Sequence, residues 1–140
     1  MSKDELDDFL AGARTARLAT TGEAGPHITP IWFVWSGGAL WMSSLVRSQR
    51  WSDLLRDPRA AAVVDAGEAY GELRGVELQG SVAVVGDVPR ADADVPALEP
   101  VERAYAEKYG GTEGAHDGRH AWLRLQPTKI VSWDFRKLSP

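Results

Sequence analysis

The run Pro26-His-Ile-Thr-Pro-Ile-Trp-Phe-Val-Trp35 constrains this chain more than any other stretch. It is dense in β-branched and aromatic residues, which suit a pleated, half-buried surface, so it predicts a strand. Pro30 lies inside it. A proline cannot donate to a ladder, so at that point the strand is an edge, a bulge or a place where a ligand meets the backbone. Gly37-Gly38 then supplies a hairpin turn into a second strand, Ala39–Ser43. Such a hairpin must bury its apolar face against more sheet. Further strand-like runs are Arg17–Thr20, Ala60–Asp65, Leu73–Val85, His120–Leu125 and Lys129–Phe135. Gly75 and Gly80 are expected to bend or bulge the longest of these. About six short strands with two or three helices predict a mainly β (α+β) fold, a small antiparallel barrel closed on itself. Closure also removes the exposed edges that long apolar strands would otherwise leave.

The helical signals flank these strands. Ser2 caps a first helix running to about Gly12, with Leu6, Phe9 and Leu10 as its apolar stripe. Its Asp4, Glu5, Asp7 and Asp8 read as a solvated face. Val101–Tyr109 predicts a late helix ended by Gly110-Gly111, with Val101, Tyr105 and Tyr109 at spacing four. Asp87–Pro100 reads as a surface connection, and a polar loop is expected up to about Arg119.

Between the second strand and Ala60 lies Ser43–Arg59, SSLVRSQRWSDLLRDPR. Trp51, Leu54 and Leu55 sit at i, i+3 and i+4, which predicts one apolar helix face. Ser48 is the natural N-cap, and Asp57-Pro58 ends the helix because a residue before proline is pushed out of the helical region. The first N–H groups of a helix lack partners and carry partial positive charge, so they form a ready anion site. Arg47 and Arg50 flank that end, and the hydroxyls of Ser43, Ser44 and Ser48 lie close in sequence. Arg56 and Arg59 add local basicity to a chain of net charge −4. A phosphate is the first candidate ligand. The structural alternative is a surface helix whose Asp53 pairs with Arg50 or Arg56.

Composition excludes other classes. With 140 residues, 44% hydrophobic and 26% charged, the chain reads as one soluble domain spanning residues 1–140. It has no cysteine, so disulfides, thiolate zinc sites and cysteine nucleophiles are excluded. His27, His116 and His120 make no recognisable metal motif, and no metal is expected. The acidic start lacks a signal-type apolar core, and no run is long enough to span a bilayer, so a cytoplasmic location is expected. A pI near 5.3 without a basic stripe argues against nucleic acid. Neither a nucleophile elbow, nor a P-loop, nor a dinucleotide fingerprint is present, so no catalytic side chain is assigned. An enzyme of this kind would leave the chemistry to its cofactor. Six tryptophans are spread over several elements and read mostly as core or subunit interface.

Arg17-Leu-Ala-Thr20, Gly25-Pro-His-Ile-Thr-Pro-Ile-Trp-Phe-Val34, Ser48-Gln-Arg50, Leu54-Leu-Arg-Asp-Pro-Arg59, Tyr70-Gly-Glu-Leu-Arg-Gly-Val76 and Val131-Ser-Trp-Asp-Phe135 occur in this order. Together they resemble the pyridoxamine 5′-phosphate oxidase-like split-barrel superfamily, most closely its deazaflavin-using branch. The resemblance runs from about residue 6 to the end. It implies a six-stranded split β-barrel homodimer with sites at the subunit interface, each holding coenzyme F-420 or, alternatively, FMN. It places the phosphate on Ser48, Gln49 and Arg50, to which the helix-start reading adds Ser43, Ser44 and Arg47, and the ring along Thr29, Pro30, Ile31 and Trp32. Relatives usually have Lys where this chain has Arg50. True pyridoxamine phosphate oxidases carry a C-terminal Arg-x-His motif, absent here, so oxidation of vitamin B6 is disfavoured.

The implied activity is hydride transfer between F-420 and a small unsaturated substrate. The alternatives are an FMN-dependent oxidase or flavin reductase, and a non-enzymatic cofactor-binding or storage protein. F-420 carries an anionic polyglutamate tail, and Arg47, Arg56 and Arg59 are the cations expected to meet it.

Overall fold

The computed structural model describes residues 1–111 and 116–138, so part of the polar loop expected before Arg119 lies outside the described residues. Three helices, α1 (Lys3–Gly12), α2 (Gln49–Arg56) and α3 (Glu99–Tyr109), accompany one antiparallel sheet. Its strands are β1 (Ala16–Gly22), β2 (Gly25–Ile31), β3 (Val34–Ser36), β4 (Ala39–Leu45), β5 (Arg59–Ala66), β6 (Arg74–Val85) and β7 (His120–Asp134). They are ordered β2-β1-β5-β6-β7-β4-β3. The long β6 and β7 pair along their length, and their two ends carry the other strands into the two halves of a split barrel.

One apolar cluster fills the barrel, with Leu18, Phe33, Met42, Leu78 and Leu123 among its members and Leu10 of α1 against them. A second lies on the other face of β4 and β7, where Leu98 and Val101 cover Trp41 and Trp122. Most of β4 is therefore buried on both faces, which explains why Ala39–Met42 is continuously apolar.

Seven strands form where about six were expected. The run Pro26–Trp35 is broken at Trp32-Phe33, not at Pro30. Pro30 is tolerated within β2 because β2 is an edge strand, paired only with β1. At the break, Tyr109 of α3 replaces the ladder: its hydroxyl accepts from Phe33 N (3.0 Å) and lies 2.9 Å from Phe33 O. Lys108 Nζ donates to the same carbonyl at 3.2 Å. Conversely, the two strands expected at the C-terminus are one, β7. Gly80 pairs with Pro127 and Gln79 with Lys129, so Thr128 is left over as a bulge. Pro127, lacking an N–H, sits where the ladder is already interrupted.

Gly80 is confirmed at that irregularity, whereas Gly75 stays in register between Asp65 and Trp133. Gly75 is required for a different reason, since a Cβ there would meet the Trp133 ring and the Val64 carbonyl. A Cβ on Gly80 would overlap the carbonyl oxygen of Gln126. Gly80→Ala is accordingly expected to cost about 1–3 kcal/mol, the range for overpacking. The check is the urea midpoint, and an unchanged midpoint would mean that the bulge yields freely.

The connection Asp87–Pro100 is more than surface. Leu98 is fully buried, and Arg90 is nearly so, clamped by Asp87 (2.7 Å) and Glu102 (3.1 Å). Two carboxylates on one guanidinium compensate its burial, which a lone surface arginine would not need.

Candidate anion-binding site

The hairpin of β3 and β4 delivers the chain to α2. Ser48 is the N-cap: its Oγ accepts from Trp51 N (3.1 Å) and donates to the Leu45 carbonyl (2.8 Å). Arg50 lies in the first turn. Its guanidinium donates to Thr29 Oγ1 on β2 at 2.9 Å and to Ser44 Oγ on β4 at 3.3 Å. Ser44 Oγ is in turn 3.4 Å from Ser48 Oγ. Strands β2 and β4 are not neighbours in the sheet, so Arg50 reaches across the gap between them.

The electrostatics of this cradle are one-sided. Arg50 is half-buried, and burial lowers its pKa from the usual arginine value. Both side-chain partners are neutral hydroxyls, and no carboxylate lies within ion-pair distance among the described residues. A guanidinium has five donors, so several remain for an anion beside the N–H groups of α2. The surface alternative, Arg50 paired with Asp53, is not formed.

The structure sorts the other sequence-derived residues by strand parity and exposure. Ser43 and Ser44 face opposite sides of β4; Ser44 joins the cradle, while Ser43 lies opposite Trp122 with its Oγ buried and unpartnered among the described residues. Arg47 is exposed and makes no ion pair among the described residues. Gln49 turns away, donating to Asp53 Oδ1 at 2.7 Å. Ile31 is buried in the barrel, so only its backbone is available. Pro30 is exposed on the outer side of β2. Trp32 is 52% exposed and stacks on Tyr109 at 4.4 Å with an 8° interplanar angle.

A second polar group lies one turn further along α2. Leu55, expected on the apolar face, is exposed, and Asp53 points inward instead with no exposure. Thr20 Oγ1 (2.9 Å) and Gln49 Nε2 (2.7 Å) donate to its carboxylate. His27 Nδ1 lies 3.3 Å from Oδ2, and Arg56 is 3.8 Å from Oδ1. The Gln49 bond leads the contributions that hold this carboxyl below the usual aspartate range, against the opposing cost of burial. Asp53 therefore carries its charge inside the protein. Sequence reading missed this, because a carboxylate at i+3 from Arg50 resembles any surface pair. His27 and Thr20, which face each other across β1 and β2, were the available signal.

The sequence matches the family model for pyridoxamine 5′-phosphate oxidase over residues 2–134. The chain belongs to this family. A conserved hypothetical protein from Mycobacterium tuberculosis is 32% identical, with a TM-score of 0.84 over 100% of this chain and 89% of the other. Two more distant structures share the fold at 22% identity. One is the FAD-binding protein from Mycobacterium smegmatis, with a TM-score of 0.73 over 97% and 98% of the two chains. The other is an F-420 reductase, with a TM-score of 0.67 over 89% and 94%. No curated protein is significantly similar.

Within this family member, two of the arginines expected near a cofactor tail are already engaged. Arg56 donates to the Thr21 carbonyl (2.9 Å) and lies 3.4 Å from Glu23. Arg59 makes a forked contact with Asp57 at 3.0 and 2.7 Å. His116 and His120 likewise have separate carboxylate partners, Glu102 and Asp117. Among the described residues no His/Asp/Glu group is arranged to hold a metal, and no helix is long and apolar enough to cross a membrane. Clefts of about 900 and 700 Å³ flank α1, and neither is lined by a cradle residue.

Proposed function

We propose that this chain is an oxidoreductase that holds a phosphate-bearing tricyclic cofactor, coenzyme F-420, and exchanges a hydride with a small unsaturated substrate. The observation that carries this is Arg50: a half-buried guanidinium at a Ser-capped helix start whose side-chain hydrogen bonds among the described residues go to the hydroxyls of Thr29 and Ser44. Arg50, Ser48 and the first N–H groups of α2 would grip the phosphate. The β2 edge from Thr29 to Trp32 would orient the ring, with Pro30 and Trp32 offering exposed surface. When bound, the ring supplies the redox chemistry. The side chains bind and orient; none is given an acid–base role. FMN is the second reading, because Arg56 and Arg59 are paired with nearby acids and leave Arg47 to meet a polyanionic tail. A cofactor-storage role remains the non-enzymatic reading of the same site.

Titration of the purified protein with F-420, FMN and phosphate-free riboflavin, followed by visible absorption and calorimetry, tests this. Both phosphate-bearing cofactors should bind more tightly than riboflavin; equal affinity of FMN and riboflavin would remove the cradle from the reading. Turnover of candidate substrates with pre-reduced cofactor separates an enzyme from a storage protein.

The site is proposed to be completed by a second copy of the chain. On the outer sheet face, Ile28, Ala19 and Ala61 are in register, as are Val63, Glu77 and Val131. Ile28 and Val131 are 64% and 41% exposed, an apolar surface suited to self-association. Sedimentation equilibrium at micromolar concentration should give about twice the 15.3 kDa chain mass. A monomer that still binds cofactor would refute the dimer.

A further inference from the structure

Asp53 has no role in the cradle as described, yet it is a fully buried carboxylate on the same short helix. We infer that Asp53 is a specificity determinant, narrowing the advantage that a doubly charged phosphate monoester would otherwise have in the cradle over a singly charged phosphodiester. This rests on the phosphate-site reading above and adds the charge state of its ligand.

The charges at the start of α2 carry the argument. Among the described residues Arg50 is the one cation with side-chain contacts inside the cradle, and Arg47 beside it is exposed to solvent. Asp53 follows Arg50 at i+3, on an adjoining part of the helix surface. Its neighbours are Thr20 from β1, His27 from β2, and Gln49 and Arg56 from α2. Arg56 is the only permanent cation among them and is shared with Glu23, so the local carboxylates offset it. At 0% exposure Asp53 is poorly screened by solvent and salt. From the helical rise, an anion beyond Ser48 lies roughly 10 Å from it. At an effective dielectric of roughly 40, a unit charge at that distance alters affinity about fourfold for each charge on the ligand. A dianion bears this penalty twice and a monoanion once. F-420 bears its phosphate as a diester and FMN as a monoester, so at the phosphate itself Asp53 weighs less against F-420.

The test compares two esters with one ring, FMN and FMN methyl ester, by calorimetry at pH 8. That pH is above the range in which histidines ordinarily titrate, and there the monoester is a dianion. Wild-type protein should favour FMN over its methyl ester by less than threefold. Asp53→Asn, with its fold verified by circular dichroism, should raise the preference for FMN about fourfold. A wild-type preference of threefold or more for FMN, or an unchanged preference in folded Asp53→Asn, would overturn the inference and leave the phosphate site standing. If Asp53→Asn does not fold, the wild-type ratio alone decides. Failure of both esters to bind more tightly than riboflavin would overturn the phosphate site and this inference together.

Discussion

Arg50→Ala is expected to weaken binding of a phosphate-bearing cofactor by about one to two powers of ten, because charge-assisted hydrogen bonds contribute about 1.5–3 kcal/mol. Affinity for riboflavin should change little, since it has no phosphate for the guanidinium to meet. Arg50→Lys should lose less, keeping the charge but not the fork. The substitution also removes the bridge from α2 to Thr29 and Ser44, two hydrogen bonds from a charged donor, each worth about 1.5–3 kcal/mol. Relief of a half-buried charge without a counter-ion works in the other direction, so the fold should survive. Calorimetric titration of all three proteins with FMN, F-420 and riboflavin is decisive. Unchanged affinity of Arg50→Ala for both phosphate-bearing cofactors would refute the phosphate role.

Trp122→Ala should produce the largest loss of stability of any change considered, about 3–5 kcal/mol. Trp122 is the largest fully buried side chain. Its indole donates to Glu102 Oε2 at 3.1 Å and meets Tyr105 edge-on at 5.5 Å, so it joins β7 to α3. Alanine would leave a cavity between sheet and helix and remove one donor from a partly buried carboxylate. Because α3 also supplies Tyr109 and Lys108 to the β2–β3 break, the damage should spread towards Trp32. Natural domains are stable by about 5–15 kcal/mol, so this variant should unfold well below the wild-type urea midpoint. Trp32→Ala is the matched comparison. Half its surface is already exposed, and the stack on Tyr109 contributes about 0.5–1.5 kcal/mol. If Trp122→Ala lost no more stability than Trp32→Ala, the account of α3 packing would be wrong.

Much of this protein is readable locally. Ser2 and Ser48 announce their helices because a cap hydroxyl needs only the backbone three residues ahead. Gly80 marks its bulge, and Pro30 its edge strand, because backbone chemistry acts at the residue that carries it. The order of short motifs was enough to point to the family. Arg50 was identifiable as a candidate anion ligand because a helix start and a neighbouring arginine lie within one segment.

Other features depend on what distant segments bring. The break at Trp32-Phe33 was invisible, since Phe33 leaves the ladder only where Tyr109, 76 residues away, replaces its partners. The merger of the last strands depended on Gln79 and Gly80 tolerating an extra residue opposite them. The arginines read as a basic cluster separate once their partners are known: Arg56 and Arg59 meet acids, while Arg50 meets hydroxyls.

The sequence by itself determined the approximate places of strand-forming runs, turns and caps and a candidate anion site, because those are short-range consequences of proline, glycine, capping hydroxyls and apolar periodicity. Only the tertiary structure decided the company each charge keeps. Asp53 looked like a surface partner for Arg50. Folding instead turns it inward against Thr20 and His27, residues 33 and 26 positions earlier in the chain. A charge's energy depends on burial and on neighbours within a few ångströms, and both are set by the closure of the sheet, not by adjacency along the chain.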